Sequence, residues 1–150
     1  MPTTRSSGPT RRQLSGWALG AWTLFVWVGR VRNIAVDNEL VGTDRAIRFV
    51  LAASFVALGL LVIGGLVSSR RSRQAVSWLP AALAVLAGYS MVTWVIRGID
   101  ISFAGDHPTG FIIVHAVLAI VTIGLSAWVV RDLRSAHFSS TQPSDARISA

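Results

Sequence analysis

The chain is 150 residues long, 52% hydrophobic and only 14% charged, with a positive mean hydropathy and a formal net charge of +7. It is too apolar for an ordinary soluble domain, and a membrane protein is the direct reading. The lack of cysteine excludes disulfides, thiolate nucleophiles, cysteine-ligated zinc and iron–sulfur clusters. The basic residues, all arginine, are spread between hydrophobic runs rather than gathered beside stacking aromatics, so nucleic acid is not an expected partner.

Residues 1–13 are rich in Ser, Thr, Pro and Gly, carry three arginines and cannot bury a core, which predicts a disordered cytoplasmic tail. A cleaved signal peptide is the competing reading, but the apolar run that follows ends in GRVRN with no small-residue cleavage site, which favours an uncleaved first helix. From Leu14 to Gly29 only 16 residues pass without a charge, against the roughly 20 that a spanning helix needs. A span over 14–33 must therefore bring Arg30 and Arg32 to the membrane boundary. Arginine does this by laying its methylenes in lipid and lifting its guanidinium to the headgroups, or by pairing inside the bundle with an acid or a carbonyl. Snorkelling suits Arg32, and both readings stay open for Arg30.

Ile34 to Arg48 reads as an ordered loop or short interfacial helix, with a turn at Gly42 and Thr43 or Asp44 as the next cap. The second span, 48–69, contains 21 uncharged residues and has Gly59, Gly64 and Gly65 for close helix approach. Arg70, Arg71 and Arg73 form a short basic connection. The third span, 75–96, has Pro80 in its first turns, and the fourth, 108–130, opens on Pro108, both positions where proline costs little. Arg97 to His107 is the second polar loop, and 132–150 is expected to be another disordered cytoplasmic tail. The fold class is thus all-α: a polytopic membrane protein with four transmembrane helices in one domain, 14–131, and both termini cytoplasmic. The loop pattern also admits two helical hairpins, though no residue-level repeat supports a duplication.

Charge sets the orientation. If the tails and the Arg70 loop share a side, that side holds nine arginines and two acids, and the other holds five of each. The excess belongs in the cytoplasm. Trp17, Trp78 and Trp128 then fall near inner boundaries and Trp27 and Trp94 near outer ones, as aromatic belts do, while Trp22 alone lies at mid-depth.

A site would lie on the outer side. Tyr89, Ser90, Thr93 and Arg97 share one helical face, as do His115, Thr122 and Ser126. Tyr89 and His115 sit at matching depth, about 10 Å below the outer boundary, where they could hydrogen-bond beneath a rim of Arg30, Asn33, Arg48, Arg97 and Asp100. The bland alternative is that these hydroxyls are interhelical glue and His115 satisfies a neighbour. His115 is the only histidine within a span, so no bis-histidine haem site can form. No cofactor is expected. Asp100, Asp106 and His107 are metal-compatible in type but weak as a pattern.

The run Trp22 to Ile34, WTLFVWVGRVRNI, resembles a pattern of the form F-V-W-x-x-R-[IV]-R-N found in uncharacterised four-span integral membrane proteins of actinobacteria. The likeness covers this run and, beyond it, only the layout of spans. It implies location and topology, adds no chemistry, and draws notice to Trp27, Arg30, Arg32 and Asn33.

No carboxylate lies deep in a span, no broken helix pair suggests an ion filter, and no nucleophile motif accompanies the serines. The expected function is a non-enzymatic accessory or scaffolding component of the bacterial cytoplasmic membrane, in contact with the lipid bilayer and with a membrane protein partner or a second copy. A small oligomeric transporter or channel is the alternative. An enzyme acting on a lipid headgroup, with Arg30, Arg48 and Arg97 on phosphate, ranks behind it for want of a base or nucleophile.

Overall fold

The computed structural model describes residues 11–72, 74–103 and 108–140, and these form four helices. They are α1 (Arg11–Val36), α2 (Gly42–Ser72), α3 (Leu79–Phe103) and α4 (Thr109–Ser140). No strand occurs among the described residues. With 25 to 32 residues each, the helices are about 38–48 Å long, more than the ~30 Å of hydrocarbon in a bilayer. Helices α2, α3 and α4 are long and apolar enough to cross a membrane. Helix α1 is long enough but less apolar, because three tryptophans, three glycines and Arg30 interrupt its aliphatic run.

Local chemistry sets the helix ends. Gly42 has φ +59, a left-handed conformation that a side chain would strain, and it turns the chain into α2. Asp44 lies in the first turn of α2 and Arg70 and Arg71 in its last, each complementing the helix dipole. Pro80 is the second residue of α3, where its missing N–H costs nothing. The Pro108 carbonyl accepts the N–H groups of Phe111 at 2.9 Å and Ile112 at 3.2 Å, starting α4.

The helix boundaries correct the sequence reading at several points. Helix α1 begins at Arg11, inside the expected tail, and runs to Val36. The first polar loop shrinks to residues 37–41, and the expected second loop contributes its first seven residues to α3, which ends at Phe103. Helix α4 continues to Ser140, so residues 132–140 are helical rather than tail. The reason is an apolar stripe, Leu125, Val129 and Leu133, that repeats every four residues and packs on the core beyond the charge-free run. The expected disorder of 1–10 and 141–150 lies outside the described residues.

Helix α1 packs mainly on α2, and α3 on α4, while α1–α4 and α2–α3 contacts are lighter. The molecule is a ring of two antiparallel hairpins. Leu19, Ala52, Phe55, Val62, Leu66, Leu86, Ala87 and Val129 are buried along its axis. Phe25, Leu60, Val85, Val92, Ile113, Val117 and Ile120 face outward at 51–73% exposure, an apolar belt far larger than a soluble monomer carries. Ala84 and Gly88 also face outward.

The mid-depth tryptophan has a partner inside the ring. Trp22 Nε1–H donates to Thr122 Oγ1 at 2.9 Å, and Thr122 in turn donates to the Leu118 carbonyl at 2.7 Å. Thr122 is buried, so Thr122→Val leaves an indole N–H with no acceptor. The expected cost is about 1 kcal/mol, read as a lowered unfolding midpoint in detergent, with Trp22→Phe making Thr122→Val nearly silent.

Candidate functional site

The two polar faces both turn into the bundle. Ser90 and Thr93 on α3 and Thr122 and Ser126 on α4 are buried, and Tyr89, Arg97 and His115 are half-buried at the same end. That end carries the α1–α2 turn and the α3–α4 connection, and we call it the rim.

Just below the rim three rings stack across three helices. Trp27 of α1 lies on Phe55 of α2, with centroids 4.1 Å apart and planes 4° from parallel. Phe55 lies on Tyr89 of α3 at 4.3 Å and 14°. Tyr89 OH is 3.2 Å from Ser54 Oγ, and Ser54 donates to the Leu51 carbonyl at 2.8 Å, so the phenol is the donor between them. The stack fixes the lateral and vertical register of α1, α2 and α3. It also corrects the belt reading of the tryptophans: Trp27 and Trp94 are buried inside the bundle, at 8% and 7% exposure, rather than lying at a lipid interface.

Above the stack stand three arginines. Arg30 lies one turn beyond Trp27, Arg48 two turns from Phe55 along the antiparallel α2, and Arg97 two turns beyond Tyr89. Arg30 is half-buried and close enough to Arg97 and Arg48 to feel the positive charge of both. Arg30 has no acid or carbonyl partner among the described residues, so the pairing read from the sequence is not made there. Arg32, Asn33, Arg48 and Asp100 are exposed. Asp100 forms no ion pair with Arg97, although the two are three apart on one helix.

His115 belongs to a different setting. Tyr89 faces α2, not α4, and gives its hydrogen bond to Ser54, so the expected Tyr89–His115 pairing is not made. His115 Nδ1 is 2.9 Å from the Phe111 carbonyl, which can only accept, so Nδ1 carries the proton. The ring packs against Phe111 at 3.8 Å and faces Trp94 at 6.5 Å. A small cavity of about 150 Å³ lies between α3 and α4 here, with Trp94, Gly98, Ser102 and His115 in its wall. No group of three or more metal-ligating side chains gathers among the described residues. His107 and Asp106 lie outside them.

At the opposite end is a feature the sequence reading did not mark. A cavity of about 770 Å³ opens among the four helices, its wall mostly Leu66, Leu79, Pro80, Leu83 and Val129 with Ser15, Ser69, Ser77 and Asp132. One carboxylate oxygen of Asp132, Oδ2, is buried there without a hydrogen-bond partner. The signal was legible as the Leu125, Val129, Leu133 repeat, which carries the helix on and turns Asp132 inward. Beside the cavity Arg70 lies over the Trp17 ring, 4.8 Å from its centroid.

No protein-family model, curated protein or solved structure matches the chain.

Proposed function

We propose that this chain is a four-span accessory component of the bacterial cytoplasmic membrane, non-enzymatic, with both termini in the cytoplasm and its rim outward. Helix α1 then spans as well, held by α2 and carrying its arginines to the outer boundary. The observation that carries the reading is the rim: three arginines, from three helices locked by one aromatic stack, stand together with no acid among the described residues to neutralise them. Such a surface is built to meet something outside the chain. No base or nucleophile accompanies it, which is why a binding role is preferred to chemistry on the bound group.

The test is capture of the tagged, full-length protein from native membranes in mild detergent, followed by mass spectrometry. A stoichiometric membrane protein partner, lost on Arg30→Glu, is the expected result; recovery of the protein alone with lipid sinks the accessory role. That second outcome would favour a small oligomeric transporter, whose supporting observation is the open cavity with the unpartnered Asp132 oxygen at the inner end.

Orientation is checked separately. The chain has no cysteine, so single cysteines report cleanly. A membrane-impermeant maleimide is expected to label Glu39→Cys in intact cells and to reach Ser72→Cys only after lysis. The reverse pattern would overturn the topology.

A further inference from the structure

We propose that Arg30, Arg48 and Arg97 form a binding site for a phosphoryl group, either the phosphate of a lipid headgroup or free phosphate. The inference names the chemistry of the rim and rests on the reading of that rim as a contact surface.

The stack decides where the three guanidinium groups are. Trp27, Phe55 and Tyr89 are level with one another, and each helix continues past them toward the rim for one or two turns before reaching its arginine. Three cations from three separate helices thereby stand at one end of the bundle within two turns of the stack, and Arg30 among them is half-buried and close enough to Arg97 and Arg48 to feel their charge. Like charges held partly out of water are costly unless a counter-charge is present.

Among the described residues none is present. Asp37 is engaged with its own turn, its Oδ1 accepting the Glu39 N–H at 3.0 Å. Asp44 lies in the exposed first turn of α2, and Glu39 and Asp100 are exposed and in no ion pair among the described residues. The negative ends of α1 and α3 do not serve either. Arg30 is six residues before Val36 and Arg97 six before Phe103, whereas a helix end acts only over its last turn. Nor do the arginines find carbonyls; the guanidinium bond to backbone at the rim is made by Arg45, to the Ala35 carbonyl at 3.1 Å, and it closes the α1–α2 turn.

A phosphoryl group suits the vacancy of charge better than a carboxylate. A phosphate monoester or free phosphate offers three or four non-bridging acceptor oxygens in a tetrahedral spread, so three planar forks arriving from different helices can each take their own oxygen. The height fits too. Exposed apolar side chains such as Val36, Ile99 and Phe103 continue past Arg30 and Arg97, so the arginines stand at the margin of the apolar belt, within reach of headgroup phosphates when the helices span a bilayer.

The experiment uses the full chain in maltoside detergent micelles, which carry no phosphate, with phosphatidic acid mixed into the micelles. Inorganic phosphate is titrated in by calorimetry, and retention of the phosphatidic acid is assayed by native mass spectrometry. Wild type is expected to bind one or both probes, and Arg30→Gln, Arg48→Gln and Arg97→Gln each to weaken binding at least about tenfold, the loss of one charge-assisted bond. Arg32→Gln, exposed at the same end, should stay within about twofold. A second readout separates binding from structure. Without phosphate the Arg30→Gln protein should melt above wild type, because a repulsion is gone, and adding the binding probe should raise the midpoint of wild type only. Retention of phosphatidic acid without binding of inorganic phosphate assigns the site to headgroups; binding of inorganic phosphate assigns it to a soluble anion. Failure of both probes, equal binding by all variants, or a lower phosphate-free midpoint for all three neutralised variants would overturn the proposal. The accessory role fails on different data, namely the absence of a protein partner in the capture experiment.

Discussion

Phe55→Ala is expected to destabilise the bundle by about 3 kcal/mol, the largest loss among its core truncations. Phe55 is fully buried and is the middle ring of the Trp27–Phe55–Tyr89 stack, so the substitution removes two ring contacts at once and leaves a cavity between three helices. Each aromatic pair contributes about 1 kcal/mol beyond area burial. In a bilayer the transfer term is smaller than in water, because the separated helices are already in an apolar solvent, and packing carries most of the loss. Phe55→Leu, which keeps most of the volume but no ring, should cost about half as much. Unfolding in a graded mixture of mild and harsh detergent, followed by tryptophan fluorescence, measures both. The effect should reach the rim: with α1, α2 and α3 no longer held level, phosphoryl binding at Arg30, Arg48 and Arg97 should weaken although none of them is altered. A cost below about 1 kcal/mol would mean that the stack does not set the register of the helices.

Gly20→Leu and Gly59→Leu should each cost about 2 kcal/mol, while the corresponding alanine changes should be close to neutral. The two glycines lie on facing helices and receive reciprocal knobs. A Cβ on Gly20 would stand 2.9 Å from Ile63 Cδ1, and one on Gly59 would stand 2.9 Å from Leu24 Cδ2. Both obstructing atoms are ends of flexible aliphatic chains, so a methyl can be accommodated by a small shift, and the helix gains about 1 kcal/mol from replacing glycine. Leucine has no such room and forces the helices apart. The consequence is larger for α1 than for α2, because α1 is the helix not apolar enough by composition to qualify as a span. Close packing on α2 is what keeps it in place. The leucine variants should therefore show increased protease cleavage in α1 in membranes, with α3 and α4 unaffected. Equal protection in wild type and both leucine variants would show that α1 inserts without α2.

What could be read in advance depended on whether the signal was one-dimensional. Charge-free runs, Pro80 and Pro108, and the Gly42 turn are properties of consecutive residues, and they located four helices and most of their starts. Helical spacing also located the inward faces, for Ser90 and Thr93 and for Thr122 and Ser126 are buried as their periodicity requires. The helix ends beyond charged residues were harder. Arg131 and Arg97 end charge-free runs, yet α4 and α3 run on past them, because a charge at the end of an apolar stripe does not break the hydrogen-bond ladder of the helix.

Tyr89 and His115 illustrate the next limit. Equal depth along antiparallel neighbours follows from counting residues, but the direction in which each ring points depends on how far each helix is rotated, which counting does not contain. Tyr89 is rotated toward α2 and Ser54, and His115 rests against Phe111 and Trp94. The tryptophans make the same point. Position near a helix end suggested a belt for Trp27 and Trp94, whereas both rings fill space between helices.

By itself, then, the sequence determined the all-helical class, the apolar belt and the list of polar residues at each end, since these follow from local hydropathy, charge and turn chemistry. Only the tertiary structure decided which of those residues meet. The aromatic stack aligned the three helices that carry Arg30, Arg48 and Arg97, the Trp22–Thr122 bond joined α1 to α4, and the continued stripe of α4 brought Asp132 to the cavity wall. The physical reason is that contacts between helices depend on rotation and register, which are set by the packing of all four surfaces together rather than by any one segment.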